Sequence, residues 1–159
     1  MPNPNDSTAP GPREVLTRFR QAIVDKSADA LAELYALDAV HEFPFLFPGM
    51  PDSYQGREEI RAGYRAAWGA SPAQPTEVRE VAVHESADGE VIVTEQIVLG
   101  TLATTGRPFS LPGLLVLRIR NGQIVHARDY MDGLGVAHTM GRLTGVAAQL
   151  DGTAAALQA

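Results

Sequence analysis

One carboxylate stands where the pattern calls for an apolar residue. In the run Val125-His126-Ala127-Arg128-Asp129-Tyr130-Met131-Asp132, side chains alternate between two faces with the period of a strand. Val125, Ala127 and Met131 fall on one face, and His126, Arg128, Tyr130 and Asp132 on the other. Asp129 falls with the apolar set. A carboxylate facing a core is costly unless something pairs with it or uses it. Among apolar neighbours its pKa rises, which suits a group that takes and returns protons near neutral pH. The alternative is a strand-end carboxylate paired with an arginine or turned to water.

His41 shares a parity with Phe43 and Phe45, so an imidazole lies beside two rings. It reads either as a second catalytic group, bonding Asp129 or polarising a ligand carbonyl, or as a satisfied core histidine. Gln96 shares its parity with Ile92, Thr94 and Val98. It reads as a neutral donor to a ligand oxygen or as a buried amide bonded to its neighbours. Phe19, Phe43, Tyr64 and Trp68, with Val98 and with Tyr35 and Phe47 beyond them, would line a ligand cavity or fill a plain core. Asp129 and His41 are thus the candidate catalytic pair, and Gln96, Phe43, Val98, Tyr64, Trp68 and Phe19 the candidate ligand wall.

Other chemistries find little support. The chain has 159 residues, no cysteine and a net charge of −6. That excludes disulfides and thiolate metal sites, and gives no basic footprint for nucleic acid or anionic membrane. The four histidines (His41, His84, His126 and His138) lack metal-ligand spacing, so no metal is expected. Gly133-x-Gly135 follows a strand but lacks the third glycine of a dinucleotide loop. No apolar run reaches the roughly 20 residues that span a bilayer, and residues 1–12 do not resemble a secretory signal. A cytoplasmic protein with no cofactor is the expectation.

The elements that would position these residues follow from spacing and turn chemistry. Residues 1–11 read as a disordered lead-in, 12–144 as one domain and 145–159 as a weakly patterned tail. Val15, Phe19, Ala22 and Ile23 have helical spacing. A short second helix carries Leu31, Leu34 and Tyr35 and ends at Asp38. A strand over 39–45 leads into a Pro-rich loop, 44–55, that would rim a pocket. Ile60, Tyr64, Ala67 and Trp68 form the stripe of a third helix. Strands follow over 76–85, 90–101 (buried on both faces for much of its length) and 108–120. The pair Asn121-Gly122 marks a tight hairpin into the Asp129 strand, because both residues accept positive φ cheaply. Leu134, Val136, Ala137 and Met140 suggest a short capping helix. Helices followed by a strand-rich meander make an α+β domain, with a pocket between sheet and helices.

This order, with Tyr54-Gln55-Gly56-Arg57-Glu58-Glu59-Ile60 entering the third helix and Asn121-Gly122-Gln123-Ile124 preceding Arg128-Asp129-Tyr130-Met131-Asp132, resembles the SnoaL-like polyketide cyclase and ketosteroid-isomerase-like branch of the nuclear-transport-factor-2-like superfamily. The resemblance implies a cone-shaped fold, a curved antiparallel sheet wrapped over N-terminal helices around a central pocket. It implies cofactor-free acid/base chemistry (isomerisation, cyclisation or dehydration) on a small lipophilic carbonyl or polyketide-like compound. A homodimer through the outer sheet face is also implied, with Arg118, Arg120, Arg128, Glu95 and Tyr130 on that face as cross-strand pairs. A non-catalytic small-molecule-binding or accessory protein of the same fold is the alternative. Epoxide hydrolases of this fold fit less well: Asp129 matches one of their three charged residues, but Gln96 and Val98 stand where an Arg and a second Asp belong, and Phe43 replaces a polar residue. Phenazine-pathway members of the fold carry a Glu at the Asp129 position as an acid/base group.

Overall fold

The structure, a computed structural model, describes residues 9–157, with side chains through residue 152. Residues 1–8 of the expected lead-in, 1–11, lie outside the described residues. Helix α1 (Pro12–Val24) starts with proline at its first position, where a missing N–H costs nothing. Helix α2 (Ala28–Ala32) is capped by Ser27, whose hydroxyl accepts from the Ala30 N–H at 3.1 Å. Strands β1 (Tyr35–Glu42) and β2 (Ser53–Gln55) precede helix α3 (Arg57–Ala70). Strands β3 (Ala73–Glu85), β4 (Val91–Leu102), β5 (Pro108–Arg120) and β6 (Gln123–Met131) then run in sequence. Helices α4 (Gly133–Thr139) and α5 (Leu143–Leu157) close the chain.

The six strands form one sheet in the order β2-β1-β6-β5-β4-β3. Strands β1 and β6 pair in parallel, and every other neighbouring pair is antiparallel. Register shifts at Pro75/Glu77 and Glu80/Ala82 bend the edge strand β3, as extra residues in one strand of a pair do. The resulting α+β architecture has its core between the inner sheet face and α1–α3, around Phe19, Leu31, Tyr35, Ile60, Ile92, Leu117 and Ile124. Arg61 reaches Asp29, Glu33 and Glu58 at 2.7–3.0 Å, and Arg65 reaches Asp29 at 2.6 Å. The pairs to Asp29 and Glu33 join α3 to α2 and its C-terminal cap, while Glu58 braces Arg61 from within α3. They therefore set the helix that carries Tyr64 and Trp68.

Several local expectations shift. Tyr35 opens β1 instead of ending a helix, because α2 stops after Ala32. Phe45 does not follow His41 and Phe43 inward: β1 ends at Glu42, and the Phe45 ring turns outward against Tyr130, centroids 5.5 Å apart. Strand β4 buries one face, with Ile92, Thr94 and Gln96 inward and Glu95 exposed. On β6 it is Ile124, not Val125, that joins Ala127 in the core. The register shift between Arg118 and Ile119 explains this, since it skips Val125 and resets the alternation. The Asn121-Gly122 turn forms as expected, with φ of 49° and 73°. A side chain at Gly122 would also strike Pro10. The described part of the weakly patterned tail expected over 145–159 is helical, within α5.

Candidate active site

Between the inner sheet face and the helices lies a cavity of about 740 Å³. Its wall is mostly apolar, and Phe19, Phe43, Tyr64, Trp68, Gln96, Val98 and Asp129 all contribute to it. The predicted ligand wall and one member of the predicted catalytic pair are therefore brought together. Tyr35 and Phe47 do not line it. The Pro-rich loop supplies Gly49, Met50 and Pro51 to the rim, and Met131, Val136 and Met140 come from the C-terminal side.

Sheet register explains the floor. Across three strands, Thr94, Leu115 and Asp129 lie in one row, and Gln96, Gly113 and Met131 in the next. Gly113 faces inward where its row needs no side chain, and an added Cβ there would meet nothing within 4 Å. A bare glycine beside Asp129 and Gln96 thus keeps the floor open. Gly113→Val is expected to leave thermal stability within about 1 kcal/mol while weakening binding of cavity ligands about tenfold by filling their space. Paired melting and ligand-titration measurements check this.

Among the described residues, no hydrogen bond or ion pair engages Asp129. Burial alone pushes its carboxyl up to about 7 from the ordinary 3.8. It lies two residues beyond Ala127, which pairs with His41 on β1. The inner face thus carries the carboxylate close to three aromatic groups joined by hydrogen bonds. His41 Nδ1 meets the Tyr35 hydroxyl at 2.8 Å, and Nε2 meets the Tyr64 hydroxyl at 3.1 Å. Burial drives the His41 pKa down to about 3, so the ring is neutral at physiological pH and carries a single N–H. His41 is fully enclosed and does not line the cavity. It reaches the tyrosines and leaves Asp129 unbonded.

Enclosure also assigns the protons. Tyr35 is fully buried, and His41 Nδ1 is the partner its hydroxyl has. Were Nδ1 protonated, the Tyr35 hydrogen would be buried without an acceptor, at a cost of about 1–3 kcal/mol. Tyr35 therefore donates to a bare Nδ1, the ring proton sits on Nε2, and Nε2–H donates to the Tyr64 oxygen. The Tyr64 hydroxyl hydrogen is left over, on a residue that lines the cavity. Burial raises the pKa of both tyrosines, and the nearby Asp129 charge raises it further, so both stay protonated.

Arg20 performs a similar assignment on Gln96. Its Nε donates to the Gln96 side-chain oxygen at 3.1 Å, while its terminal nitrogens donate to Thr94 Oγ1 at 2.7 Å and Glu80 at 2.8 Å. Guanidinium only donates, so it holds the amide oxygen and turns the NH₂ group the other way. No side-chain polar atom is both buried and unpaired among the described residues, so that NH₂ opens onto the cavity it lines. Arg20 was not singled out in the sequence. Its signal is that Leu16, Phe19, Arg20 and Ile23 follow helical i, i+3, i+4, i+7 spacing, which puts a guanidinium within an apolar stripe.

Comparison with known proteins agrees with this architecture. The sequence profile of the SnoaL-like domain family matches residues 16–127, ending two residues before Asp129. An uncharacterized Bacillus subtilis protein, YesE, is 29% identical over 132 residues, spanning 80% of this chain and 86% of its own. A crystal structure from Bacillus subtilis, named as a candidate isomerase, superposes with a TM-score of 0.73 at 28% identity, over 82% of this chain and 92% of that one. A Catenulispora acidiphila protein with a ketosteroid isomerase-like fold, solved with trimethylamine, gives a TM-score of 0.66 at 23% identity, over 83% and 95% of the two chains. Apolar cavity, inner-face carboxylate and strand order thus sit together in a chain that belongs to the SnoaL-like domain family, on the ketosteroid-isomerase-like form of the nuclear-transport-factor-2-like fold.

Proposed function

We infer that the protein moves a proton at a carbon beside a carbonyl in a small lipophilic compound, as an isomerase, cyclase or dehydratase would. The observation that carries this reading is the unpaired Asp129 carboxylate on the wall of an apolar cavity, its pKa pushed up to about 7. As the base, Asp129 takes the proton from carbon, and as the acid it returns it elsewhere on the same molecule. The oxygen that gains charge meanwhile is served by the free hydrogen of Tyr64 and by the NH₂ of Gln96. One such donor in a dry site lowers the barrier by roughly 3 kcal/mol. His41 and Tyr35 act through Tyr64, and Arg20 acts through Gln96. All three position donors. No cofactor has a part in this reading.

The test requires no knowledge of the natural substrate. Lipophilic cyclic ketones incubated in deuterium oxide are expected to exchange their α-hydrogens faster with the protein than with its Asp129→Asn variant, as followed by proton NMR. Ketones that bind yet exchange equally with both proteins would leave a ligand-binding or accessory protein as the function.

A second copy on the outer sheet face belongs to the same proposal. Phe45 and Leu46 stand 65% and 78% exposed on the loop beside that face, with Tyr130 under the Phe45 ring. The face also holds Arg118 and Arg120 on Glu90, and Arg128 and His126 on Glu42, at 2.9–3.0 Å. Sedimentation equilibrium showing a monomer at micromolar concentration would remove this part.

A further inference from the structure

Three residues that line the cavity carry a formal charge: Asp129, Lys26 and Arg142. Asp129 and the donors around it are assigned above. The ammonium of Lys26 is committed, donating to the carbonyls of Ser71 at 3.0 Å and Ala73 at 2.9 Å. The guanidinium of Arg142 has no side-chain partner among the described residues, whereas nearly all the other arginines are paired.

Arg142 is nonetheless held in place. Helix α4 ends in a reversal at Gly141, whose φ of 68° suits glycine. The Gly141 N–H donates to the His138 carbonyl at 3.1 Å, and the Arg142 N–H to the Ala137 carbonyl at 2.8 Å. Ala137 is buried, and Val136 and Met140 on the same turn line the cavity. The exposed Arg142 thus stands at the cavity's solvent side, on backbone anchored to its wall. Around it the wall is apolar, and no acidic side chain but Asp129 lines the cavity.

A guanidinium at the edge of an apolar hollow forks onto a planar anion, while the ligand's apolar body fills the space behind it. Of the other two charged positions, Asp129 repels an anion as a carboxylate with nothing to offset it, and Lys26 already spends two of its three N–H donors on backbone carbonyls. We propose that the cavity takes amphipathic carboxylates, with the carboxylate on Arg142 at the rim and the apolar body inside. The proposal rests on the proposed function for the direction of the ligand, since it keeps the carbonyl end at Asp129 and the anion away from it.

The chain's single tryptophan, Trp68, lines the cavity and serves as the reporter. Decanoate and decanol are titrated at pH 8 into the full chain while Trp68 fluorescence is followed. The less polar alcohol would bind tighter in a purely apolar hollow, so an inverted order is diagnostic. Decanoate is expected to bind tighter than decanol, by up to about fivefold. Arg142→Gln should cancel or reverse that preference by weakening decanoate alone. Arg107→Gln, on an exposed turn away from the cavity, should leave the preference unchanged. Decanol binding as tightly as decanoate, a preference that survives Arg142→Gln, or no response to either probe overturns the proposal. These are affinities, independent of turnover: a failed α-hydrogen exchange test would overturn the acid/base reading and leave this carboxylate preference standing or falling by itself.

Discussion

Asp129→Asn is expected to lower α-hydrogen exchange about 10³-fold and at the same time to make the protein more stable at alkaline pH. The rate loss follows because the amide can neither accept nor return a proton, and a positioned acid/base group is worth roughly 10²–10⁴. The stability gain follows from linkage. The folded-state pKa of Asp129, about 7, lies above its ordinary 3.8, so the folded protein holds a proton that the unfolded chain releases. Its contribution is fully present below about pH 4 and is lost as pH rises through about 7. The variant should therefore nearly match the wild type at pH 4 and exceed it by up to about 4 kcal/mol at pH 8, where the wild type must keep a desolvated charge. His41 works in the opposite direction, since its pKa is depressed to about 3. Its contribution is present above about pH 6.5 and is lost as pH falls toward 3. The two trends oppose each other between pH 4 and 6.5 in the wild type. In Asp129→Asn the histidine trend should emerge as stability rising with pH, joined at the acid end by Asp29, Glu33, Glu42, Glu80 and Asp88, whose hydrogen-bond partners hold their carboxyls below the ordinary range. Urea denaturation at a series of pH values checks all of this.

Tyr64→Phe is expected to lower exchange about 10²-fold with little change in ligand affinity, because it removes a donor that matters most when charge builds on the ligand oxygen. Tyr35→Phe should cost less rate. It removes the donor that pins the His41 proton to Nε2, so Tyr64 becomes free to spend its hydrogen on the ring. His41→Leu conserves volume yet leaves the Tyr35 hydroxyl without a partner in a fully buried position. It should destabilise the fold by about 2–4 kcal/mol and lower the rate as well. A catalytic His41 touching the ligand would give the same loss in rate. Only the relay predicts that Tyr35→Phe, one residue further from the cavity, also slows exchange while ligand affinity stays constant.

The residues that were legible in the sequence are those whose type conflicts with their local pattern. Asp129 broke a period-two alternation, and Asn121-Gly122 marked a turn by its own chemistry. The element order also followed from patterning, because helices and strands here have clean periods over most of their length. What local spacing missed was fixed by neighbours distant in sequence. The inward swing of Ile124 depends on a register shift against β5, and the outward turn of Phe45 on where pairing with β2 and β6 stops. Spacing alone could not choose between a catalytic and a satisfied core His41, because its partners, Tyr35 and Tyr64, come from a strand start and a helix and meet only in the folded core. Arg20 was hidden for the same reason, its meaning residing in Glu80 on β3 and in Thr94 and Gln96 on β4, all far along the chain. Arg142 carried no signal at all, since a lone arginine after a helix is ordinary until a cavity opens beside it.

Carbon-13 NMR titration of the Asp129 carboxyl, assigned by its loss in Asp129→Asn, reads the state of that group without any substrate. A midpoint near 7 is the predicted result, as desolvation beside an open apolar space requires. A midpoint at or below the ordinary 3.8 would show a carboxylate that is paired or bathed in water, and would contradict its use as a proton carrier at neutral pH.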